Sequence, residues 1–363
     1  MARQPSDKYM ISRLSRRPKE ASYITIRISN LPKPSSVARV STSATGILKT
    51  FPLEIMHNIL ENLDFLSLTR FSRTSRRANE SVNTLKLYRD LMVYAAETLG
   101  ALGRTRLISY HTAGEIFSVL KTDRCVSCGH YGSYLFLPTL ERCCYNCLEY
   151  NQSLWVMSRM AAQKCFCLTS RQVDQLPNML SIAGKSSRRR RLKLVSVRAV
   201  KELAIKVHGS EQDITSKLYT SISRPLSNRQ ISEYNFYLAA PLKPFTNDPM
   251  FQRDQGYYGI LDPFFGMAAT TFPSLSKAGL ETGLWCRGCD YNLNSFGRSA
   301  SAIPISNMIP RRLRACKFLS DMQLRARSRA DFLEHIKHCF GVPGLSPAMA
   351  TWQRSIQEAA NQD

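Results

Sequence analysis

Long apolar runs are missing from this sequence. Its 363 residues contain no uncharged apolar run of the roughly 18–20 residues that a membrane-spanning helix needs. Residues 1–20 also lack the apolar h-region of a secretory signal. We therefore expect no membrane partner and a location in the nucleus and/or cytoplasm, where the eleven cysteines would be reduced thiols or metal ligands.

Acidic residues are scarce as well. The chain has 27 acidic and 50 basic residues, a net charge of +23, which is typical of proteins that bind nucleic acid, an acidic membrane surface or an acidic protein. Residues 1–48 are basic, rich in serine and poor in large apolar residues, which predicts a disordered basic tail. The tail also resembles a mitochondrial transit peptide, although Asp7, Pro18 and Glu20 interrupt the amphipathic helix that such peptides form.

Arginine is concentrated again near the middle of the chain. This run follows a turn marked by Pro177 and Gly184 and comes before a strand-like segment. Such runs serve as nuclear-import signals or contact phosphates, and they also occur as solvated surface loops. The residues of the possible import signal are Arg188, Arg189, Arg190, Arg191 and Lys193.

The motifs of common catalytic sites are also absent. The sequence has no Gly-rich phosphate loop, no G-x-S-x-G and no H-E-x-x-H. Its acidic residues are too scattered to indicate a pair of catalytic carboxylates. No period of 20–50 residues recurs, so we expect no leucine-rich or propeller repeat. These absences predict a protein without catalytic activity of its own.

Two C-x2-C pairs are the strongest motif that is present. Cys125 and Cys128 are separated from Cys144 and Cys147 by a gap that fits a short hairpin, for which residues 134–138 supply strand-like side chains. Four thiolates arranged in this way favour tetrahedral zinc, and a shell closed by four cysteines favours a structural site over a catalytic one. The spacing therefore predicts a structural zinc site, with buried free thiols as the alternative.

Two neighbours of this motif leave its details open. Cys143 could replace Cys144 as a ligand, although only Cys144 keeps the two-residue spacing. His130 is close enough in sequence to lie beside the metal or to be incidental. Cys165, Cys167 and Cys316 are interpreted as ordinary thiols.

A second candidate metal site is split along the chain. Cys286 and Cys289 form another C-x2-C pair, and His335 and Cys339 are four residues apart on a helix predicted to begin after Ser328. Residues four apart lie on one helix face, as a site with three cysteines and one histidine requires. The alternatives are free thiols with a surface histidine pair, so the sequence predicts one or two structural zinc ions.

Residues 51–79 predict short helices with apolar residues on two sides. Leu53, Met56 and Leu60 recur at helical spacing on one face, while Ile55 and Ile59 widen the apolar stripe towards a second. Three short helices cannot bury two apolar faces among themselves. One face is therefore expected to contact the rest of the chain or another protein.

These residues resemble an F-box. The likeness rests on Phe51-Pro-Leu-Glu-Ile55, on the leucines of the next helix and on Phe71-Ser-Arg-Thr-Ser75, with Phe51 in place of the commoner leucine. The resemblance implies three helices that dock on a Skp-family adaptor, which connects to a cullin–RING ubiquitin ligase. The adaptor contacts that it implies are Phe51, Pro52, Leu53, Ile55, Ile59, Leu63, Leu66 and Leu68.

A looser likeness extends over most of residues 50–340. It is to fungal F-box proteins in which a Cys-rich segment follows the F-box, and it is carried by the closing motifs GLWCRGC and FLEHIKHC. This resemblance supports the grouping of Cys286 and Cys289 with His335 and Cys339. It implies an adaptor-like role and does not identify a target.

The expected fold class is α+β, with an N-terminal three-helix F-box, further helices, a zinc-stapled mixed region with short strands and a C-terminal helix. The predicted segments are a basic disordered tail (1–48), an F-box (49–93), helices plus a four-cysteine zinc module (94–180), a basic loop with a mixed or irregular region (181–283), a second Cys/His zinc module (284–342) and a C-terminal tail (343–363).

The function predicted from the sequence is that of a substrate-recruiting adaptor subunit of an SCF-type ubiquitin ligase. The F-box would bind the Skp-family adaptor and hence the cullin, and the zinc-stapled part would bind an unknown protein target. One alternative is a nucleic-acid-binding zinc protein that uses residues 188–193 and a basic helix over 311–329. The other is an F-box scaffold that works outside a ligase.

Overall fold

Short helices and shorter strands make up the described part of the chain. The computed structural model describes residues 5–19, 51–181, 192–221, 227–243, 264–277, 279–296, 309 and 314–360. Its helices are α1 (Asp7–Leu14), α2 (Leu53–Glu61), α3 (Phe65–Ser72), α4 (Arg76–Thr84), α5 (Lys86–Tyr94), α6 (Ala96–Thr105), α7 (Ala113–Leu120), α8 (Tyr145–Tyr150), α9 (Arg159–Cys165), α10 (Ser170–Asp174), α11 (Val197–His208), α12 (Glu211–Ser221), α13 (Asn228–Leu238), α14 (Arg287–Ser295), α15 (Ala315–Leu324), α16 (Arg329–His338) and α17 (Pro347–Ala360).

The strands are two to four residues long and pair in antiparallel fashion. They are β1 (Ser15–Arg16), β2 (Tyr134–Phe136), β3 (Glu141–Cys143), β4 (Val156–Ser158), β5 (Met179–Leu180), β6 (Lys193–Ser196), β7 (Ala269–Thr271), β8 (Ser274–Ser276), β9 (Gly279–Glu281) and β10 (Trp285–Cys286). Two sheets have three strands, in the orders β3–β2–β7 and β4–β6–β5, and two are ribbons, β1–β10 and β8–β9. The expected α+β class is confirmed, and so is the predicted hairpin, in which Tyr134 is paired with Cys143.

Each helix of residues 51–84 begins next to a residue that favours a helix start. Pro52 precedes α2, where a missing backbone N–H costs nothing. Asp64 and Ser75 cap α3 and α4 because each side chain accepts a hydrogen bond from the backbone N–H three residues on. Further along, Thr112 and Glu115 form the capping box that starts α7.

One hydrophobic core joins these helices to the first cysteine set. Met56 and Leu60 of α2 are buried in the same cluster as Leu102 of α6, Phe136 of β2 and Cys147 of α8. Since α2–α4 are too short to enclose a core alone, residues of α5–α7 and of the β3–β2–β7 sheet complete the same core.

Two further cores lie in later parts of the chain. One packs helices α9–α13 around side chains such as Trp155, Phe166 and Tyr237. The other surrounds the second cysteine set and includes Leu14 and Phe332. The second set of candidate metal ligands is thus buried in a different core from the first.

Residues 7–16 differ from the predicted disordered tail. They form α1 and β1, with Met10 and Leu14 buried against the second cysteine set. Ser15 and Arg16 pair with β10, and the Arg16 side chain forms an ion pair with Asp290. The prediction of disorder is wrong here. Met10 and Leu14 are buried against a distant apolar part of the chain, and composition does not reveal such a contact.

Two predicted helical stretches are shorter than expected. Apolar spacing predicts helix over 104–111, yet α6 ends at Thr105, and Arg106 adopts the left-handed conformation (φ 63°) that terminates helices. The basic stretch 311–329 is not one helix in its described part, because residues 325–328 separate α15 from α16. Residues 310–313 lie outside the described part of the chain. Among the helices that are described, none combines the length and apolar character needed to cross a bilayer.

Candidate metal centres and partner-binding face

The first cysteine set converges on one point. Cys125 and Cys128 lie in a tight turn, in which the Gly129 N–H donates to the Cys125 carbonyl at 3.0 Å. Cys144 follows β3 directly and caps α8, which carries Cys147. The four sulfurs lie within 4.8 Å of one another, and those of Cys128 and Cys144 are 3.6 Å apart.

The structure chooses between the two adjacent cysteines of this set. Cys144 belongs to the four-sulfur group, and Cys143 does not. Cys143 is the last residue of β3 and is fully buried in the adjoining core. Because successive strand residues point to opposite faces, two neighbouring cysteines cannot both turn towards the same metal.

The second set brings together residues from two distant segments. Cys286 ends β10 and Cys289 lies in the first turn of α14, while His335 lies on α16 and Cys339 follows that helix. The Cys289 sulfur is 3.2 Å from His335 Nε2 and 3.9 Å from the Cys339 sulfur. The Cys286 and Cys339 sulfurs are 3.7 Å apart.

Gly288 allows this close approach of the two segments. A Cβ atom at this position would lie 2.9 Å from both the Cys339 sulfur and the Val342 side chain. Since real Cβ contacts are longer, a larger residue here would push Cys339 away from the group.

Both sets have dimensions that suit a bound metal ion. Ligand sulfurs of a tetrahedral zinc site, with Zn–S of about 2.3 Å, lie about 3.8 Å apart. The measured sulfur–sulfur distances of 3.6, 3.7 and 3.9 Å match that edge length. Four cysteines in one set, and three cysteines with one histidine in the other, are donor sets that fit zinc and leave no position open for a substrate. Either group could hold a metal ion.

The thiols within each set perturb one another strongly. Hydrogen bonding from the Cys125 thiol is the main cause that lowers the pKa of Cys128, whereas the pKa of Cys144 lies well above its ordinary value because of hydrogen bonding with Cys125 and burial. In the second set, hydrogen bonding with Cys289 lowers the pKa of Cys286, and that of Cys289 is raised to about 12. A divalent cation bound at either set would hold each cysteine ligand as a thiolate and His335 as a neutral imidazole.

Arginines next to the two sets were not found from the sequence. Arg325 donates to His130 Nε2 at 2.8 Å, and His130 follows the first knuckle. Arg327 is buried, and its guanidinium lies 4.0 Å from the Cys289 sulfur. A zinc ion held by three or four thiolates carries net negative charge, which such cations offset. The sequence places both arginines in the predicted basic helix over 311–329, and no spacing signal distinguishes them from their neighbours.

The helices of residues 51–84 present an apolar face to solvent. Ile55 is 44% exposed and Ile59 is 42% exposed, whereas Met56 is 6% exposed and Leu60 is 1% exposed. The two predicted stripes of α2 therefore separate into a buried face and an open one. Phe51, Pro52 and Leu66 are exposed beside the open face.

Not every predicted contact residue belongs to this open face. Leu68 is fully buried in the first core, so it supports α3 from within and offers no surface to a partner. Leu66 and Leu68 are two residues apart on α3, about 200° around the helix axis, so they lie on nearly opposite faces. Leu63 is half-buried against the same core, and the Leu53 side chain lies outside what the structure describes.

The possible import signal is largely outside the described residues. Arg188, Arg189, Arg190 and Arg191 all fall in the undescribed range 182–191. Lys193 is the first residue of β6, and its side chain is exposed. The import signal remains a prediction.

Comparison with known proteins identifies one domain. The family model for the F-box domain matches residues 48–90, a range that contains α2–α4 and the exposed isoleucines. The F-box predicted from the sequence is confirmed. No curated protein and no solved structure matches the chain.

Proposed function

We propose that this F-box protein is a substrate-recruiting adaptor subunit of an SCF-type cullin–RING ubiquitin ligase. F-box domains typically bind Skp-type adaptors, and proteins that contain them are generally non-catalytic adaptors. In this role the assembled ligase carries out the chemistry, and the chain supplies proximity between ligase and target.

The observation that carries the proposal is the open apolar face of the F-box. Phe51, Ile55, Ile59 and Leu66 are each more than a third exposed on a small domain whose other apolar face is already buried. Burying one such side chain is worth about 1.5–3 kcal/mol, so leaving four in water is costly unless a partner covers them. An amphipathic partner helix laid against α2 and α3 fits this arrangement.

We further propose that both cysteine sets hold structural zinc. The zinc ions would stabilise the part of the chain that binds the target, because the strands next to them are only two or three residues long. The residues that would hold the ions are Cys125, Cys128, Cys144 and Cys147 in one site, and Cys286, Cys289, His335 and Cys339 in the other.

The nucleus and/or cytoplasm is the proposed location, as the sequence predicts. The likeness to fungal F-box proteins in the cysteine-rich part supports the same assignment of roles and remains a prediction. An F-box scaffold outside a ligase would use the same face, so the cullin distinguishes the two functions.

Affinity purification from cells tests the proposal. The wild-type chain should co-purify with a Skp-family adaptor and a cullin, and Ile55→Asp with Ile59→Asp should remove both, because two charges on the interface cannot be desolvated. Val207→Asp is the control, since Val207 is 40% exposed on α11, outside the F-box helices. Adaptor without cullin would favour the scaffold, and absence of the adaptor from the wild-type preparation would refute both functions.

A further inference from the structure

A cavity of about 280 Å³ opens between the two sets of candidate metal ligands. They are called the first cluster (residues 125–147) and the second cluster (residues 286–339) from here on. Its charged and ionisable lining residues are Arg124, His130, Arg325, Arg327, Asp331 and His335. Three arginines and one aspartate give it a net positive charge. The cavity shares His335 with the second set of candidate ligands, but none of its three arginines is a candidate ligand.

Two of these arginines contact residues in or next to the two clusters. Arg325 is hydrogen-bonded to His130 beside the first cluster, and Arg327 lies against Cys289 of the second. Arg327 also donates to the Arg325 carbonyl at 3.1 Å, so the two cations are fixed relative to each other. Both clusters therefore pre-organise the same small surface.

Arg327 is a buried cation, and no carboxylate of the described residues is hydrogen-bonded to it. Only 6% of the residue is exposed, and its hydrogen-bond acceptors in the described part of the chain are a carbonyl oxygen and a sulfur. A buried charge normally acquires an anionic partner. The Cys289 sulfur meets part of this need at one end of the guanidinium, and Arg327 also lines the cavity.

We infer that this cavity, named the arginine pocket, binds an oxyanion carried by the protein target. Guanidinium groups match the planar spacing of carboxylate and phosphoryl oxygens and bind them through paired charge-assisted hydrogen bonds. The inference rests on the proposed function, because it takes the target to be a protein. The surface between the two clusters is then the site that recognises the target.

Asp331 occupies part of this site in the free protein. Its carboxylate lies 3.3 Å from Arg124, and both side chains are about half exposed. An ion pair of this exposure contributes about 0–1 kcal/mol, so an incoming oxyanion can displace it readily. Asp331 therefore competes with the ligand for Arg124.

Fluorescence anisotropy with labelled pentapeptides tests this inference. The probes are Gly-Ala-phosphoserine-Ala-Gly, its glutamate counterpart and its serine counterpart, titrated with zinc-loaded full-length protein. The salt concentration is kept at about 0.15 M, because the chain carries a net charge of +23 and salt screens non-specific attraction of the anionic peptides. We expect the phosphoserine or the glutamate peptide to bind at least about tenfold more tightly than the serine peptide.

Variants locate the binding to the pocket. Arg124→Gln and Arg325→Gln should each weaken binding about tenfold, while Asp331→Asn should tighten it about threefold by removing the competing charge. Arg76→Gln is the control and should bind as wild type, since Arg76, like Arg124, is exposed and ion-paired but lies outside the pocket. A purely structural role for Asp331 would not produce tighter binding.

Four results would overturn the inference: equal binding of all three peptides, unchanged binding by Arg124→Gln, weaker binding by Asp331→Asn, or competition by inorganic phosphate as strong as that by the peptide. The last would assign the pocket to a free anion. The assay contains no adaptor, so its failure leaves F-box binding untouched. Loss of adaptor co-purification would in turn leave peptide binding measurable.

Discussion

Arg142 shows how one buried side chain joins separate segments around the first cluster. Its guanidinium donates to the backbone carbonyls of Val119, Gly132, Phe272 and Pro273 at 2.6–3.2 Å. These carbonyls lie in α7, in the loop before β2 and between β7 and β8. Burial lowers the pKa of Arg142 to about 10, which still leaves it charged at neutral pH.

Replacing Arg142 should therefore be costly. Arg142→Met leaves buried carbonyls without donors, and we expect a loss of about 3 kcal/mol or more in the free energy of unfolding. Urea denaturation measures it, with Arg76→Met as the exposed control, which should change stability by less than about 0.5 kcal/mol. A loss below about 1 kcal/mol for Arg142→Met would show that water replaces the guanidinium.

The neighbours Cys143 and Cys144 should differ sharply in what their loss does to metal content. Cys144→Ser removes one of four ligands and should lower zinc from about two ions per chain to about one. Cys143→Ser should keep about two, although it places a hydroxyl in the core. Elemental analysis of the purified proteins distinguishes them, and equal zinc loss in both variants would contradict the assignment of Cys144 as the ligand.

At the scale of elements, α1 and β1 form a brace for the second cluster. Met10 and Leu14 are buried with Cys286 and Cys289, and β1 pairs with the strand that ends at Cys286. The Arg287 guanidinium donates to the Arg13 carbonyl at 3.1 Å, so α14 is linked to the same segment. The position of two ligands thus depends on residues some 270 positions earlier in the chain.

Weakening this brace should loosen the second metal site selectively. Leu14→Ala leaves a cavity beside Cys286, with an expected cost of about 2–5 kcal/mol to local stability. In cobalt-substituted protein, the site with one nitrogen and three sulfurs should release metal to a chelator at least about tenfold faster, while the four-sulfur site is unchanged. Tyr9→Ala on the exposed side of α1 is the control, and equal release by both variants would show that α1 is no brace.

At the scale of the whole molecule, the F-box and the first cluster pack together. Helices α2–α4 and the four cysteines share a hydrophobic core, whereas the second cluster has its own. Metal bound at the first cluster should therefore stabilise the proposed adaptor-binding face through this shared core. Metal at the second should act on the arginine pocket instead.

This arrangement predicts that substitutions of a ligand in the first cluster and in the second cluster differ in their effect on adaptor binding. Cys147→Ser should reduce adaptor co-purification at least about fivefold, because the shared core loses its metal staple. Cys339→Ser should leave adaptor binding within about twofold of wild type and impair the second site alone. Equal losses in both variants would mean that the two cores unfold together.

Much of the local structure was predictable because it depends on neighbours in sequence. The cap residues Asp64, Ser75 and Thr112 begin their helices as predicted, since capping involves atoms three residues apart. The apolar spacing of α2 likewise separates Met56 and Leu60 from Ile55 and Ile59. Both cysteine sets also assemble as their spacing predicts.

What the sequence determined by itself is therefore the helix starts, the two-sided F-box helix and the grouping of the candidate metal ligands into two sets. Only the tertiary structure decided that Leu68 turns inward, that Cys144 rather than Cys143 joins the sulfur group, that residues 7–16 brace a distant cluster and that Arg325 and Arg327 converge between both clusters. The reason is physical: caps and knuckles are set by backbone geometry over a few residues, whereas burial and side-chain convergence depend on which distant surfaces meet.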